Sequence, residues 1–109
     1  MARYIITGSY TAEAMRGMIA KPSDRAAATG ALVKASGGKL VDFYLTTGDT
    51  DFLMIAEADD LNGMLAALIA AGASGAVTGL KTVQAFTSKE FTAAQKAAGA
   101  LMKAYKPPN

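Results

Sequence analysis

Cysteine, histidine and tryptophan are absent from this chain. Without cysteine there is no disulfide and no thiolate metal site, which fits a reducing compartment, and a cytoplasmic location is expected. Losing histidine as well removes the usual ligands of zinc, copper and haem. Only carboxylates and carbonyls remain for hard cations, so no bound metal and no cofactor is expected. Histidine-based nucleophile triads and the commonest general base go with it. No stretch approaches the roughly 20 consecutive apolar residues of a membrane helix, so no membrane partner is expected. The opening MARYIITGSY has a very short apolar core and enters a strand pattern directly, which argues against a signal peptide. The net charge is only +2. Long-range steering of nucleic acid would be weak at that charge, and no nucleic-acid partner is expected.

What is present is enough for one domain. At 109 residues, 51% apolar and 18% charged, residues 1–109 form a single unit with one core. The charges are unevenly placed. Asp42, Asp49, Asp51, Glu57, Asp59 and Asp60 fall in a span without Lys or Arg, whereas Lys89, Lys96 and Lys103 recur every seven residues towards the C-terminus. Both patches read as solvated surface. They also suit a subunit contact in which one patch meets the other.

The segment KLVDFYLTTGDTDFLMIAEADD, residues 39–60, organises the chain. It reads as a β-hairpin with a tight turn at Thr47-Gly48-Asp49-Thr50. Its first strand alternates and its second, Phe52 to Ala56, is apolar on both faces, so both faces should be covered. Before it come a short strand around Tyr4-Ile5-Ile6 and a helical region over about 11–36. That region is split where Lys21 precedes Pro22, with Thr11 capping its first part and Ser23 or Asp24 its second. After the hairpin, Asp59 or Asp60 caps LNGMLAALIAA, a helix apolar on nearly all sides and so expected to be buried on more than its core face. A fourth, edge strand spans Val77 to Phe86. Thr87 and Glu90 then form a capping box ahead of a C-terminal helix over about 88–105 with an apolar stripe of Phe91, Ala94, Ala98, Leu101, Met102 and Tyr105. Residues Lys106 to Asn109 read as a frayed tail.

The order is α+β: a ferredoxin-like βαββαβ sandwich with an extra C-terminal helix, in which strands one and three are central. Helices cover only one face of such a sheet. A second copy of the chain is the simplest cover for the other, giving a sheet-to-sheet dimer. With a two- or four-residue turn, Thr46 pairs with Asp51 and Tyr44 with Leu53. Val41, Phe43, Leu45, Phe52, Met54 and Ala56 then face the helices. Asp42, Tyr44, Thr46, Asp51, Leu53, Ile55 and Glu57 face the dimer contact or a cavity there.

Several of these residues also resemble a known family. Tyr4-Ile5-Ile6 with Tyr10-Thr11, Gly37-Gly38-Lys39-Leu40, Phe43-Tyr44, Gly48-x-x-Asp51-Phe52, Glu57 and Ala85-Phe86-Thr87 resemble the GYD domain family of small bacterial proteins over about residues 3–91. The family signature, Gly-x-Tyr-Asp, stands here as Gly48-Asp49-Thr50-Asp51, with threonine in the tyrosine's place. The resemblance implies a dimeric α/β-barrel arrangement and leaves the biochemical function open.

Candidate site residues are few. Gly48 and Asp49 read first as turn residues. Asp49 and Asp51, two apart, would serve as paired carboxylates for acid–base work or a hard cation if they pointed the same way. Tyr44 would orient a ligand with its phenol or act as an interface aromatic. Arg16 and Arg25 would meet an anionic ligand. Two functions compete: a non-catalytic homodimeric or higher-order module binding a small molecule or partner protein, and a cofactor-free isomerase or monooxygenase-like enzyme using Tyr44 and Asp51. An apolar cavity of roughly 300 Å³ or more lined by both residues would favour the enzyme. An oligomeric scaffold, suggested by the all-round apolar helix, is a third reading.

Overall fold

A four-stranded antiparallel sheet forms the body of the molecule, in the order β2-β3-β1-β4. A computed structural model describes residues 1–108; Asn109, at the end of the expected tail, lies outside the described residues. The elements in chain order are β1 (Ala2–Tyr10), α1 (Ala12–Ala20), α2 (Arg25–Ala35), β2 (Lys39–Leu45), β3 (Phe52–Ala58), α3 (Leu61–Ala73), β4 (Val77–Ala85) and α4 (Ser88–Leu101). The two strands with apolar residues on both faces, β1 and β3, are the central pair, as their composition requires.

The helix starts are chemical. Thr11 accepts a hydrogen bond from the Ala14 amide, Asp24 from the Ala26 and Ala27 amides, and Asp60 from the Asn62 amide. At α4 the box is complete: the Glu90 amide donates to Thr87 Oγ1 at 3.1 Å and the Thr87 amide donates to Glu90 Oε1 at 2.8 Å. Each cap satisfies amides that the helix itself leaves without partners.

The hairpin register is the expected one over most of its length, with Tyr44 opposite Leu53, Phe43 opposite Met54, and the Thr46 amide bonded to the Asp51 carbonyl at 2.8 Å. Gly48 takes φ +100° in the turn, a conformation that side chains with a Cβ avoid. One residue departs from simple alternation. A bulge between Leu40 and Asp42 leaves Val41 unpaired and exposed, and Leu40 packs against the core in its place. The bulge absorbs one residue and shifts parity, which is why Val41 does not face the helices. Leu45, at the far end of this edge strand, is likewise 64% exposed.

Ile6, Phe52, Met54 and Ala56 form the buried centre, with Tyr4, Tyr10, Val33, Leu40, Phe43, Leu68, Val77 and Leu80 packed around it. Phe52 lies between Tyr10 and Phe43, with ring centroids 5.2 and 6.1 Å away. Gly8, opposite Phe52 on β1, makes room for that ring. A Cβ there would come within 2.7 Å of Phe52 Cζ and 2.9 Å of Leu80 Cδ2.

Much apolar surface is left uncovered within one chain. The helix-free sheet face carries Ile5, Leu53 and Ile55, with Tyr44 and Val83 beside them, and is crossed by an Arg3–Glu57 ion pair at 3.2 Å. In α3, Met64, Ala67, Leu68 and Ala71 recur at helical spacing towards the sheet, while Leu61, Leu65 and Ile69 form an outer stripe that is more than half exposed. The sequence expectation of burial beyond the core face is therefore not met within the single chain. Every described residue after Ala85 is exposed, α4 included. The helix is shorter than expected, ending at Leu101. It stands off as an arm, and the molecule extends 61 × 31 × 23 Å with a radius of gyration of 17.9 Å, against about 13 Å for a compact domain of this size. Among the described residues no helix is long and apolar enough to cross a membrane.

Candidate functional site

The helical layer does not fill the space above the sheet. Ala28 on α2 and Ala67, Ala70 and Ala71 on α3 line a partly open cavity of about 340 Å³ between helices and sheet, with Ala28 and Ala70 at its exposed rim. Its floor is Ile6, Phe43, Phe52, Met54 and Ala56; its walls include Leu32, Val33, Met64, Leu68, Val77 and Leu80. Ligand pockets start at about this size, roughly 300 Å³, and are mostly apolar with a few polar groups that fix orientation.

Ser36, Ser74 and Glu57, the last paired with Arg3, are polar residues of the lining, and a further polar group is built around Arg25. Arg25 opens α2, Tyr10 closes β1, and Thr29 stands one helical turn after Arg25; all three line the cavity. Tyr10, Arg25 and Ala76 also border a more open cleft formed with Ala14, Gly17, Met18, Lys21 and Ser23. The Arg25–Tyr10 wall thus separates the apolar interior from the cleft beside α1. The Arg25 guanidinium is half-buried. Its Nη1 donates to Ser23 Oγ at 3.3 Å, while its Nε is buried without a hydrogen-bond partner. Among the described residues no carboxylate forms an ion pair with it. Burial raises the Tyr10 phenol above its ordinary pKa; the hydrogen bond and charge of Arg25 pull it back, and the charge of Asp51 adds to the rise. Tyr10 therefore holds its proton at neutral pH and can donate it to an acceptor.

The residues singled out from the sequence are not brought together. Tyr44 is 57% exposed on the helix-free face of β2. Asp51 fastens the hairpin to β1: its Oδ2 accepts from the Tyr10 amide at 2.9 Å and its own amide donates to the Gly8 carbonyl at 2.8 Å. Gly48 and Asp49 form the exposed turn, and Arg16 is exposed on α1. None of these residues lines the cavity. Of the two arginines considered for an anion, the structure sets Arg25 at its wall. Among the described residues no group of three or more carboxylates converges as a metal site would need. The cavity itself escaped sequence reading, although Ala67 and Ala71 on the inner side of α3 were a legible sign of missing volume.

In the signature segment, the Thr50 carbonyl accepts from Thr46 Oγ1 at 2.8 Å. The side chain that differs from the signature tyrosine is not needed for that bond. The model of the GYD domain matches residues 4–95. The chain belongs to the GYD domain family. No curated protein matches it. Among solved structures, this GYD domain is similar to MtbAldR, with TM-score 0.53 and 16% identity over 80% of this chain and 52% of that one. It is similar to TTHA0845 from Thermus thermophilus, with TM-score 0.52 and 16% identity over 81% of this chain and 96% of that one. The transcriptional regulator NMB0573 from Neisseria meningitidis, in complex with L-Met, gives TM-score 0.51 and 18% identity over 80% of this chain and 51% of that one. The chain spans about half the length of MtbAldR and NMB0573. These likenesses show the fold, a small α+β sandwich similar to ferredoxin-like structures.

Proposed function

We propose that this GYD domain is a homodimeric, non-catalytic module that binds a small molecule between its helices and its sheet. The cavity of about 340 Å³ carries the reading. A partly open gap of that size leaves its apolar lining short of dispersion contacts and facing water. A ligand that fills it restores those contacts. NMB0573, which shares the fold, forms a complex with L-Met, and small-molecule sensing suits this chain too. The enzyme alternative required Tyr44 and Asp51 to line a common cavity, and neither lines this one.

The dimer rests on apolar surface. The helix-free sheet face, the outer stripe of α3 and the arm α4 all expose large side chains that a second copy would cover. Native mass spectrometry of protein from its source tests the whole reading. The expected result is a dimer that releases a low-mass organic molecule on denaturation. A ligand-free monomer that also binds no apolar probe overturns it.

A further inference from the structure

We propose that the cavity takes an amphipathic carboxylate, a molecule with an apolar chain or ring body and one anionic end, and that Arg25 is the residue that holds the anion. This inference rests on the small-molecule reading above and names the class of ligand. The body follows from the floor and walls, where Ile6, Phe52, Met54 and Leu68 offer apolar contact and no hydrogen bond. The head follows from Arg25. A guanidinium at the edge of an apolar space presents a planar fork of donors that matches a carboxylate. Here the fork has no carboxylate partner among the described residues, and Nε is buried with its donor unused. Buried donors without acceptors are uncommon in native structures. An incoming carboxylate supplies the missing acceptor.

The surroundings favour an anion at this wall over a neutral polar head. Tyr10 stays protonated, so its hydroxyl is available to donate to a carboxylate oxygen. Lys21 borders the cleft outside and adds a second positive charge along the approach. Asp24 and Asp51 keep their charges but turn oxygens to backbone amides, Asp24 to Ala26 and Ala27 and Asp51 to Tyr10, and neither forms an ion pair with the guanidinium.

The test is calorimetric titration of the purified full-length protein with decanoate, below its aggregation concentration, alongside the neutral probe 1-decanol. Decanoate is expected to bind at least tenfold more tightly than decanol. Arg25→Met should remove that preference, Arg25→Lys should restore part of it, and Lys34→Met, which removes an exposed charge from the same helix, should leave it intact. Thermal melts without ligand check that each variant is folded. Equal binding of both probes, unchanged in Arg25→Met, overturns the assignment to Arg25 and leaves the cavity reading standing. Binding of neither probe overturns both.

Discussion

Asp51 shows how one carboxylate can be accounted for by the chain's own amides. Its Oδ2 accepts from the Tyr10 amide and its own amide donates to the Gly8 carbonyl, so it ties the hairpin turn to the end of β1, next to the irregularity between Thr7 and Ser9. Asp51→Ala leaves the Tyr10 amide without its acceptor and is expected to cost about 1.5–3 kcal/mol, whereas Asp51→Asn keeps an acceptor in place and should cost under about 1 kcal/mol. Urea unfolding of both variants measures the difference, and equal losses would mean that the hydrogen bond is not what matters. Glu90 gives the pH counterpart. Its pKa is lowered, chiefly by the Thr87 amide of the capping box. A carboxyl held below its unfolded value contributes stability that is present above that value and lost as pH falls through the folded one. The start of α4 should therefore fray at pH below the ordinary glutamate range. Amide exchange at Phe91 and Glu90 against pH would show it, and Glu90→Gln should flatten the dependence. Tyr10 acts at the other extreme. Its raised pKa contributes stability below its ordinary value that is lost as pH rises above it, so the sheet end near Phe52 should loosen only in alkali.

The sequence was most legible in the elements where chemistry is local. Thr11, Asp24, Asp60 and the Thr87–Glu90 box all mark helix starts, because a cap is set by a few neighbouring residues. The hairpin register was legible because Gly48 fixes the turn and the apolar pattern fixes the faces. Val41 was not. A bulge adds one residue to a ladder, and nothing in an alternating run of apolar residues says where that extra residue falls. The cavity was hidden for a different reason. Alanine is both a strong helix former and a small one, so alanine-rich α2 and α3 read as good helices without showing that their sheet-facing sides fall short of the strands. That diagnosis can be tested on α3. Ala67→Leu adds three carbons at the wall of the cavity, where there is room for them, and should stabilise the protein by about 1–2 kcal/mol at roughly 0.8 kcal/mol per buried carbon, discounted for imperfect fit. The same variant should abolish binding of any apolar probe. Denaturant unfolding of the ligand-free protein measures the first effect. A clear loss of stability would mean that the space is not free.

At the scale of the whole molecule, the issue is what covers the surface one chain leaves wet. Ile55 sits on central strand β3 directly opposite Ile5 of β1, on the sheet face without helices. In a free monomer a lysine at that position costs little, since its ammonium reaches water while its stem lies along the sheet. In a sheet-to-sheet dimer the same ammonium would be buried against its symmetry copy. A buried charge without a partner costs several kcal/mol, of order 3–5, and a two-fold contact would meet the fault twice. If the proposed dimer forms, Ile55→Lys is therefore expected to convert it to a folded monomer at micromolar concentration. Sedimentation should show the lower mass, with the far-ultraviolet dichroism unchanged. In the same proposal the arm α4 contributes separately. Its exposed Phe91, Leu101 and Met102 would be covered in the proposed dimer, and replacing Leu101 and Met102 with serine should then weaken it by tenfold or more, about 1.4 kcal/mol, without changing the sheet. A dimer that survives Ile55→Lys but is lost with the serine pair would mean that the arm holds the two copies together and that the sheet faces do not meet.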